Sequence, residues 1–378
     1  MINLAQRDIS HSLGKFITTA LGVGMLIGVM LIMLGVYRGM VHDAMIIPND
    51  LKGDLWVVQK DTLGPFAESS RLHEDLKYAL SGFTGVEKVY PLTFQSLQII
   101  QNKKPIRVYA LGYESLSGFT PFRLVEGRAI SIAHQEIIVD SKTGFKLGDS
   151  ISLGRNTYRV VGLTKKAVSS GGDPMIYLDL SEAQELQFLF SNEQIRNDRF
   201  RGGESSATAM VNTFVLKVKK GFDPIAVAQE IKRWKHQEVY TQEEQAAILT
   251  TNLIERSAKQ IGMFTVILLI VSSVIISLII YTMTMGKIKE IAILKLIGAP
   301  NSVITKMIGQ QSLLLGGIAF IGGNIFAHAS ADIFPKTIVL FYSDAAKLFV
   351  IVIIISILAS LSGIRSALHV DPASAIGG

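Results

Sequence analysis

Four runs of this sequence contain no Asp, Glu, Lys or Arg, and they constrain the fold more than any other feature. The runs cover residues 16–37, 261–286, 307–331 and 348–364. An α-helix needs about 20 apolar residues to cross the hydrocarbon core of a bilayer, so the first three runs are long enough. The fourth is at the lower limit, and Ala345 and Ala346 extend it. We therefore predict four transmembrane helices.

The composition agrees with a membrane protein. Of the 378 residues, 49% are hydrophobic and only 18% are charged, which is too apolar for an ordinary soluble protein of this size. The first run is longer than the roughly 7–15 apolar residues of a signal peptide, and no small-x-small cleavage site follows it, so we predict an uncleaved anchor. The chain has no cysteine, which excludes disulfides and thiol chemistry.

Charges beside the runs predict the orientation of the chain. Residues 1–15 have a small basic excess, residues 287–306 contain four lysines against the single acid Glu290, and the charges between the third and fourth spans nearly cancel. By the positive-inside rule, the N-terminus, residues 287–306 and the C-terminus lie in the cytoplasm. The net charge of +6 is thus mostly a topology signal, and we predict no nucleic-acid partner.

Residues 39–240 are too polar and too rich in turn residues to lie in a membrane, and they predict a large extracytoplasmic domain. β-Branched and aromatic residues indicate strands, and leucines at every fourth position indicate one helix. The first elements form a β-α-β-β unit, at residues 54–60, 70–80, 86–100 and 106–112. A β-rich subdomain is inserted at about residues 122–206, with strands at residues 136–140, 150–154, 157–163 and 175–180.

The remainder of this domain completes the first unit. A flexible excursion is expected at residues 191–209, followed by a strand at residues 213–218 and a helix at residues 224–234. The predicted fold is an α-helical membrane protein with four transmembrane helices and a large α+β extracytoplasmic domain. Within that domain, a β-α-β unit carries the inserted β-rich subdomain.

The approach to the second span has a clear helix start. Thr241 and Glu244 form a T-x-x-E capping box, and no Gly or Pro follows before Gly262. We predict that the second span begins well outside the membrane as one long helix. Such a helix is either a rod that carries motion across the bilayer or a passive stalk, and the residues leave both interpretations open.

These observations divide the chain into segments. They are a cytoplasmic N-terminal helix (1–15), the first span (16–38), the extracytoplasmic domain (39–240), the stalk and second span (241–286), a cytoplasmic loop (287–306), the third span (307–331), a short external loop (332–344), the fourth span (345–365) and a cytoplasmic tail (366–378).

The sequence contains no recognisable catalytic, metal-binding or cofactor-binding pattern. The seven histidines are scattered, and none pairs with another at metal-ligand spacing. The Ser/Gly/Asp/Pro cluster at residues 169–174 is typical of an ordinary loop. No G-x-x-x-x-G-K-[ST] motif occurs, so any nucleotide hydrolysis must come from a separate subunit. The four uncharged runs contain no Asp, Glu, Lys or Arg, so they give no sign of a proton relay or ion site.

The first span carries two G-x-x-x-G pairs. These are Gly24 with Gly28 and Gly35 with Gly39, and such pairs allow helices to approach closely. Packing within the subunit and a dimer interface are both compatible with them.

The segment KIKEIAILKLIGAP, residues 287–300, follows the second span. On a helical wheel Ile288, Ile291, Ala292 and Lys295 lie along one side. Gly298 predicts the end of this helix, and Asn301 predicts the cap of a second helical segment at residues 301–308 that leads into the third span. A basic helix lying on anionic lipid is the alternative interpretation, although it does not need a sharp glycine break.

The residues KEIAILKLIGAPNSVITKMI, 289–308, resemble the cytoplasmic loop of MacB/FtsX-type ABC transporter permeases. The ending DPASAI, residues 371–376, resembles the end of the same family, and RLVEGRAI (123–130), LGDSISLG (147–154) and YRVVGL (158–163) resemble its external domain. The order of spans and domain is also that of the family. The start GDLWVVQ, residues 53–59, and the lack of a fused ATPase resemble the DevC-like permeases.

This resemblance implies a partner and a role. Such permeases form dimers, here most simply a homodimer, and bind two copies of a separate ABC ATPase that holds the ATP. The loop after the second span is the family's coupling helix, which implies that Lys289, Glu290, Lys295, Gly298 and Ala299 contact the ATPase. Glu290 and Lys295 would be the polar anchors. The movement caused by ATP-driven closure of the ATPase subunits would then be transmitted through the stalk to the extracytoplasmic domain, a mechanism called mechanotransmission.

The resemblance places the chain in a bacterial cytoplasmic membrane and leaves several functions open. The first is efflux of a lipid, peptide or drug-like substrate through a periplasmic adaptor and a TolC-like outer-membrane channel. The second is release of lipoproteins in the manner of LolC and LolE. The third is regulation of a cell-wall hydrolase by an FtsX-like chain, and a receptor or membrane-anchored enzyme is the fourth. In the first three the chain itself is not catalytic.

Overall fold

The computed structural model describes residues 13–101, 103–132, 134–189, 209–234, 237–331, 333–334 and 336–369. The expected N-terminal helix before residue 13, the excursion at 191–208 and the DPASAI ending lie outside these residues. The chain forms two compact units. The membrane unit comprises Met1–Gly39 with Ser257–Gly378, and the interspan unit comprises Met40–Arg256.

Ten α-helices are numbered here within the described residues. They are α1 (Leu13–Leu51), α2 (Gly64–Ala67), α3 (Leu76–Ser81), α4 (Leu180–Leu189), α5 (Pro224–Lys232), α6 (Gln242–Ile248), α7 (Glu255–Met285), α8 (Ile288–Leu296), α9 (Asn301–Ala331) and α10 (Tyr342–Leu368). A π-helical turn, Leu249–Ile254, joins α6 to α7.

Twelve strands are numbered within the same residues. They are β1 (Leu55–Gln59), β2 (Leu72–His73), β3 (Val86–Gln101), β4 (Lys104–Tyr113), β5 (Leu124–Gly127), β6 (Glu136–Asp140), β7 (Ser150–Leu153), β8 (Asn156–Thr164), β9 (Met175–Asp179), β10 (Met210–Val211), β11 (Thr213–Val218) and β12 (Gln237–Thr241).

The prediction of four transmembrane helices is confirmed. The helices that are long and apolar enough are Phe16–Leu51, Ser257–Met285, Asn301–Ala331 and Tyr342–Leu368. Three of them extend beyond the predicted spans, because α1 continues to Leu51, α9 already begins at Asn301 and α10 continues to Leu368. Hydropathy marks the part of a helix that suits lipid, whereas the helix itself continues until the backbone is interrupted.

The first helix is the central element of the membrane unit. In the most apolar stretch of α1, 44% of the residues are buried, whereas in that of α7 only 17% are buried. Ala20, Val23, Ile27 and Met30 of α1 belong to one buried cluster with residues of the other three spans. Beyond this cluster, Arg38 makes a two-pronged ion pair with Asp344 of α10, with Nε–Oδ2 2.7 Å and Nη2–Oδ1 3.0 Å.

The interspan unit is built on one ten-stranded mixed sheet. Its strand order is β12-β1-β11-β3-β4-β9-β6-β8-β5, with β7 paired to β8. The long β3–β4 hairpin is antiparallel, and β9 pairs parallel with β4 from Tyr109↔Met175 to Tyr113↔Asp179. The predicted α+β fold is confirmed, and the structure adds that the strands of the inserted subdomain join the same sheet as the β-α-β unit.

Both faces of the sheet are covered around β1, the second strand from one edge. Four of the five residues of β1 are buried, with Trp56 in one apolar cluster and Leu55 and Val57 in another. In β8 the burial instead alternates, with Tyr158 and Val160 inside. Continuous burial is typical of a strand that is packed on both faces, and alternation is typical of one solvated face.

Some local predictions are wrong. The helix expected at residues 70–80 is a strand, β2, followed by the short helix α3. Leu72 is buried because β2 pairs with β10, where Val211 lies opposite it. Tertiary pairing therefore overrides the four-residue spacing of the leucines. Helix α4 and strand β12 were not predicted, and Leu180, expected to end a strand, begins α4.

The predicted capping box is confirmed at the start of the stalk. Glu244 donates its backbone N–H to Thr241 Oγ1 (3.2 Å), and the Glu244 carboxylate accepts the Thr241 N–H (2.9 Å). Helical structure then continues through α6, the π turn and α7. Gln242 joins this start to its surroundings, because it accepts from Trp56 Nε1 (3.0 Å) and donates to the Pro48 carbonyl in α1 (3.2 Å).

Candidate functional site

Helix α8, in the loop between the second and third spans, is the candidate functional site. One side of it is packed, since Ile291 and Ala292 are 1% and 0% exposed. Ile291 lies in the buried cluster that contains Ile304 and Ile308 of α9. The side of the helical wheel that carries Ile288, Ile291, Ala292 and Lys295 is therefore the packed side.

The opposite side of α8 is exposed and largely apolar. Ile293 and Leu296 are 49% and 63% exposed, and Ile297, which directly follows α8, is 79% exposed. Their i, i+3, i+4 spacing puts them on one side of the helix, where Lys289 and Glu290 precede them by one turn. We call these five residues the exposed face of α8. Sequence reasoning missed its three apolar members, although they lie opposite Ile291 on the same helical wheel.

The end of α8 is a Schellman motif. Gly298 has φ 90°, which is a left-handed conformation that favours glycine. Its N–H donates to the Lys295 carbonyl (3.0 Å), and the Ala299 N–H donates to the Leu294 carbonyl (3.0 Å). These are the two bonds that define the motif. The predicted break at Gly298 is confirmed, and it holds Ala299 and Pro300 at the turn.

The prediction for the start of the next helix is wrong in one detail. Helix α9 begins at Asn301 itself, so Asn301 is its first helical residue and not the residue that precedes it. The Val303 N–H donates to the Pro300 carbonyl (2.9 Å). Proline is tolerated at this position because the N–H that it lacks would have no intrahelical acceptor at the start of a helix.

Lys295 is placed differently from the other predicted coupling residues. Its ammonium donates to the carbonyl of Leu368, the last residue of α10, at 2.9 Å. Lys295 is half-buried, whereas Lys289 and Glu290 are exposed. The five predicted residues thus fall into three groups, with two on the exposed face of α8, two at the turn and one bound to α10. Their contact with an ATPase stays a prediction.

Electrostatics at the start of this loop are modest. Burial lowers the pKa of Lys287, and the nearby Glu290 carboxylate opposes that change. Lys289 and Glu290 carry opposite charges on adjacent residues, so the exposed face of α8 has no strong net charge. A partner for this face therefore needs an apolar patch with polar groups at its rim.

The four glycines of the first span contact other parts of the same chain. A Cβ at Gly24 would lie 2.7 Å from the Ala319 carbonyl oxygen, and a Cβ at Gly28 would lie 2.8 Å from that of Gly323. At Gly35 and Gly39 an added Cβ would meet residues 337–340, which follow α9. Real Cβ atoms essentially never make contacts this short. The glycines therefore allow α1 to approach α9 and the segment after it.

The Ser/Gly/Asp/Pro loop has a structural explanation. Ser169 Oγ accepts the N–H groups of Gly171 and Asp173, both at 3.2 Å. The hydroxyl therefore closes its own turn, in the way that serine commonly does. Among the described residues, no group of three or more His, Asp or Glu side chains is arranged to hold a metal ion.

Two protein-family models match the chain. The MacB-like periplasmic core domain matches residues 16–234, and the FtsX-like permease C-terminal domain matches residues 262–372. The first of these covers more than half of the chain. Together they extend over the first span, most of the interspan unit and most of the remaining three spans, with residues 235–261 between the two matches.

Curated relatives match along their whole length. An uncharacterized ABC transporter permease of Mycobacterium bovis is 23% identical over 378 residues, which is 100% of each chain. The permease protein HrtB of Staphylococcus epidermidis, named for a proposed hemin transport system, is 24% identical over 391 residues, covering 100% of this chain and 99% of its own. The periplasmic region of MacB from Actinobacillus actinomycetemcomitans is 14% identical with a TM-score of 0.36, covering 52% of this chain and 92% of its own.

Proposed function

The chain belongs to the MacB/FtsX-type family of ABC transporter permeases, and we propose that it couples ATP hydrolysis by a separate ATPase to a conformational change of its interspan unit. Members of this family are inner-membrane subunits and are not catalytic themselves. The family also implies an ATPase partner. The proposal adds two points. It names the surface of this chain that binds the ATPase, and it states that ATP hydrolysis drives the conformational change of the interspan unit.

The observation that carries the proposal is the exposed face of α8. Three large aliphatic side chains are exposed on a short helix that is held in place by its opposite side. An exposed apolar patch that is rimmed by polar residues marks a protein or lipid contact. A groove in an ATPase fits a rigid nine-residue helix that ends in a fixed turn, whereas lipid binding would not require the Schellman motif.

The stalk supports the second half of the proposal. Helical structure runs from Gln242 to Met285, and α8 begins three residues later. The capping box and the Gln242 hydrogen bonds fasten the far end of this helical path to β1 and to the last turns of α1. This continuous helical path supports the proposal that the stalk is a rod that carries a displacement of α8 to the interspan unit, and not a passive stalk.

The remaining parts of the proposal follow the family. We propose a dimer of this chain with two ATPase copies, α8 in the cytoplasm and the interspan unit outside it. We further propose that the assembly drives efflux with a periplasmic adaptor and an outer-membrane channel. The staphylococcal relative named for hemin makes hemin a rational first compound in a substrate screen.

The decisive experiment measures ATPase binding and stimulation by the full-length chain. Ile297→Asp, a change at the most exposed residue of the α8 face, is expected to weaken ATPase association by about tenfold, as for a central interface residue. Ile333→Asp is the matched control, since Ile333 is 83% exposed in the loop between α9 and α10. Equal losses in both variants, or no ATP-binding protein that co-purifies with the wild type, would contradict the proposal.

A further inference from the structure

Lys295 connects two helices that are far apart in the sequence. Its ammonium on α8 donates to the carbonyl of Leu368 at 2.9 Å, and the two residues are 73 positions apart. The last four carbonyls of an α-helix have no partner within the helix, and a cation at this end is also favoured by the helix dipole. Lys295 therefore caps the C-terminal end of α10 with a charge-assisted hydrogen bond.

The other end of α10 is also held by a polar contact. Asp344, in its first turn, accepts two hydrogen bonds from Arg38 of α1. The Asp344 side chain is only 12% exposed, and the ring of Phe341 lies 5.5 Å from the Arg38 guanidinium. Two parallel N–H···O bonds fix both distance and orientation, which a single bond does not.

Helix α10 thus joins α8 to α1. A charged contact lies at each of its ends, and the helix between them has 27 residues. Helix α1 then continues beyond Arg38 without interruption to Leu51. A rigid helix held at both ends transmits displacement along its axis, because its hydrogen-bonded backbone resists stretching.

We propose that Lys295 is a positioning residue that transfers movement of α8 to α10, and that Arg38 passes this movement from α10 to α1. The route is additional to the stalk helix. It rests on the proposed function, because the ATPase is the partner that moves α8. It also changes the role expected for Lys295, whose ammonium donates to the Leu368 carbonyl of α10 within the chain.

Spin labels test the connection without any partner. The chain has no cysteine, so single cysteines at Ile297 and Leu361, both exposed, can carry the two labels. We expect a narrow distance distribution in the wild-type background, a broader or longer one with Lys295→Met, and near-wild-type distances with Lys295→Arg. Unchanged distances with Lys295→Met would overturn the proposal.

ATPase measurements on the full-length Lys295 variants without the spin-label cysteines test the transfer. Lys295→Met is expected to lower the stimulated kcat about tenfold, the loss typical of one charged hydrogen bond, with the affinity for the ATPase unchanged. Lys295→Arg should retain stimulation. A fall in affinity at unchanged kcat would show instead that Lys295 contacts the ATPase directly, and the proposal would be wrong.

A covalent replacement provides a second variant if Lys295→Met does not fold. Cysteines at Lys295 and Leu368 are joined by a short bis-methanethiosulfonate cross-linker of about the length of a lysine side chain, which forms a reducible disulfide with each cysteine and releases methanesulfinate. Stimulation should be restored by the cross-link and lost on reduction, and persistently low stimulation in the cross-linked form would contradict the proposal. If the wild type neither binds nor stimulates an ATPase, the proposed function fails, whereas the spin-label distances still decide whether Lys295 ties α8 to α10.

Exchanging the charges of Arg38 and Asp344 tests the contact between α1 and the first turn of α10. Arg38→Asp and Asp344→Arg should each lower ATPase stimulation, and the double exchange should recover most of it. A double variant no better than either single variant would show that the pair does not transmit movement.

Discussion

At the scale of single residues, backbone conformation and isolated polar contacts decide how segments of this chain end. Gly298 allows α8 to stop within one residue, because only glycine adopts its φ of 90° without steric cost. In the interspan unit, Glu136 fastens the loop before β6 by accepting from Arg128 and from the N–H groups of Ser131 and Ile132. Both features are local, and each leads to a direct test.

Gly298→Ala is expected to reduce ATPase stimulation severalfold without loss of membrane insertion. The left-handed conformation costs a residue with a Cβ about 1–2 kcal/mol, so the turn after α8 would relax and displace Ala299. Stimulation is measured on reconstituted protein. Gly309→Ala in α9 is the control, because no atom lies within 4 Å of its added Cβ. Equal ATPase stimulation by the two variants would show that the Schellman turn is not needed for stimulation.

The ion pair of Glu136 predicts a dependence of stability on acid. The hydrogen bond from Arg128, with help from the two backbone N–H groups, lowers the pKa of Glu136 from 4.5 to about 2. A lowered folded-state pKa adds stability above the unfolded value of 4.5, and this stability is lost as the pH falls towards 2.

Glu136→Gln should therefore lower the melting temperature at pH 7 and reduce its further fall on acidification. Thermal unfolding of the detergent-solubilised chain between pH 7 and pH 3 measures this difference. Glu87→Gln, at an exposed position, is the control. Parallel acid profiles for wild type and Glu136→Gln would contradict the assignment.

At the scale of elements, the contacts of the long helices explain the composition of their faces. Gly24 and Gly28 lie on the side of α1 that meets α9, where Gly323 contributes a third small residue. Glycine at all three positions brings the two backbones close together, which is the geometry that G-x-x-x-G sequences favour. Gly22, on the same helix, has open space around it.

Gly28→Ala is expected to destabilise the chain by about 1–3 kcal/mol, the usual cost of overpacking. The added Cβ would lie 2.8 Å from the Gly323 carbonyl oxygen and 2.7 Å from the Phe326 ring, so one helix must move. Melting temperature in detergent is the measurement, and Gly22→Ala is the matched control in α1. Equal stability of the two variants would show that α1 and α9 do not approach this closely.

The stalk contains an element that differs from a regular α-helix. Gln245 of α6 is fully buried, and among the described residues neither its Oε1 nor its Nε2 has a hydrogen-bond partner. The π turn begins four residues later at Leu249. A buried amide without partners costs about 1–3 kcal/mol relative to an apolar group of the same shape.

Gln245→Met should therefore raise the melting temperature of the chain. The test is thermal unfolding in detergent, with the exposed Glu243→Gln in the same helix as the control. A lower melting temperature for Gln245→Met would mean that the amide makes stabilising contacts. ATPase stimulation of the same variant would then show whether the amide is needed in a second conformation of the stalk.

At the scale of the whole molecule, the chain consists of a membrane unit and an interspan unit with different contents. The membrane unit carries α8 and the four spans, and the interspan unit carries the ten-stranded sheet. The family has both a MacB-like and an FtsX-like part, which correspond closely to these units except that the first span falls in the MacB-like match. Which side of the bilayer each unit faces is predicted only by the charges of the loops, through the positive-inside rule.

Opposite sides of the membrane are expected for the exposed face of α8 and the interspan unit. In the natural cysteine-free background, Leu116→Cys should react with an impermeant maleimide added to intact cells, and Ile297→Cys should react only after permeabilisation. Both side chains are exposed, so accessibility within the protein does not bias the comparison. Labelling of both cysteines in intact cells would overturn the positive-inside assignment.

Several features of this protein were determined by short stretches of its sequence. The four spans follow from the length of their apolar runs, the start of the stalk from Thr241 and Glu244, and the end of α8 from Gly298. Each depends on residues that are neighbours in the chain, so local propensity and hydropathy suffice to predict them.

Other features were decided only by tertiary structure. The joining of β9 to β4, the conversion of residues 72–73 into a strand and the contact of Lys295 with Leu368 all pair residues distant in sequence. The helical wheel of α8 indicated one side from the sequence. Only the structure shows that Ile291 on this side is buried with residues of α9, and that the apolar residues opposite it are therefore exposed. The physical reason is that burial and hydrogen bonding depend on which segments meet, and a linear pattern does not specify that.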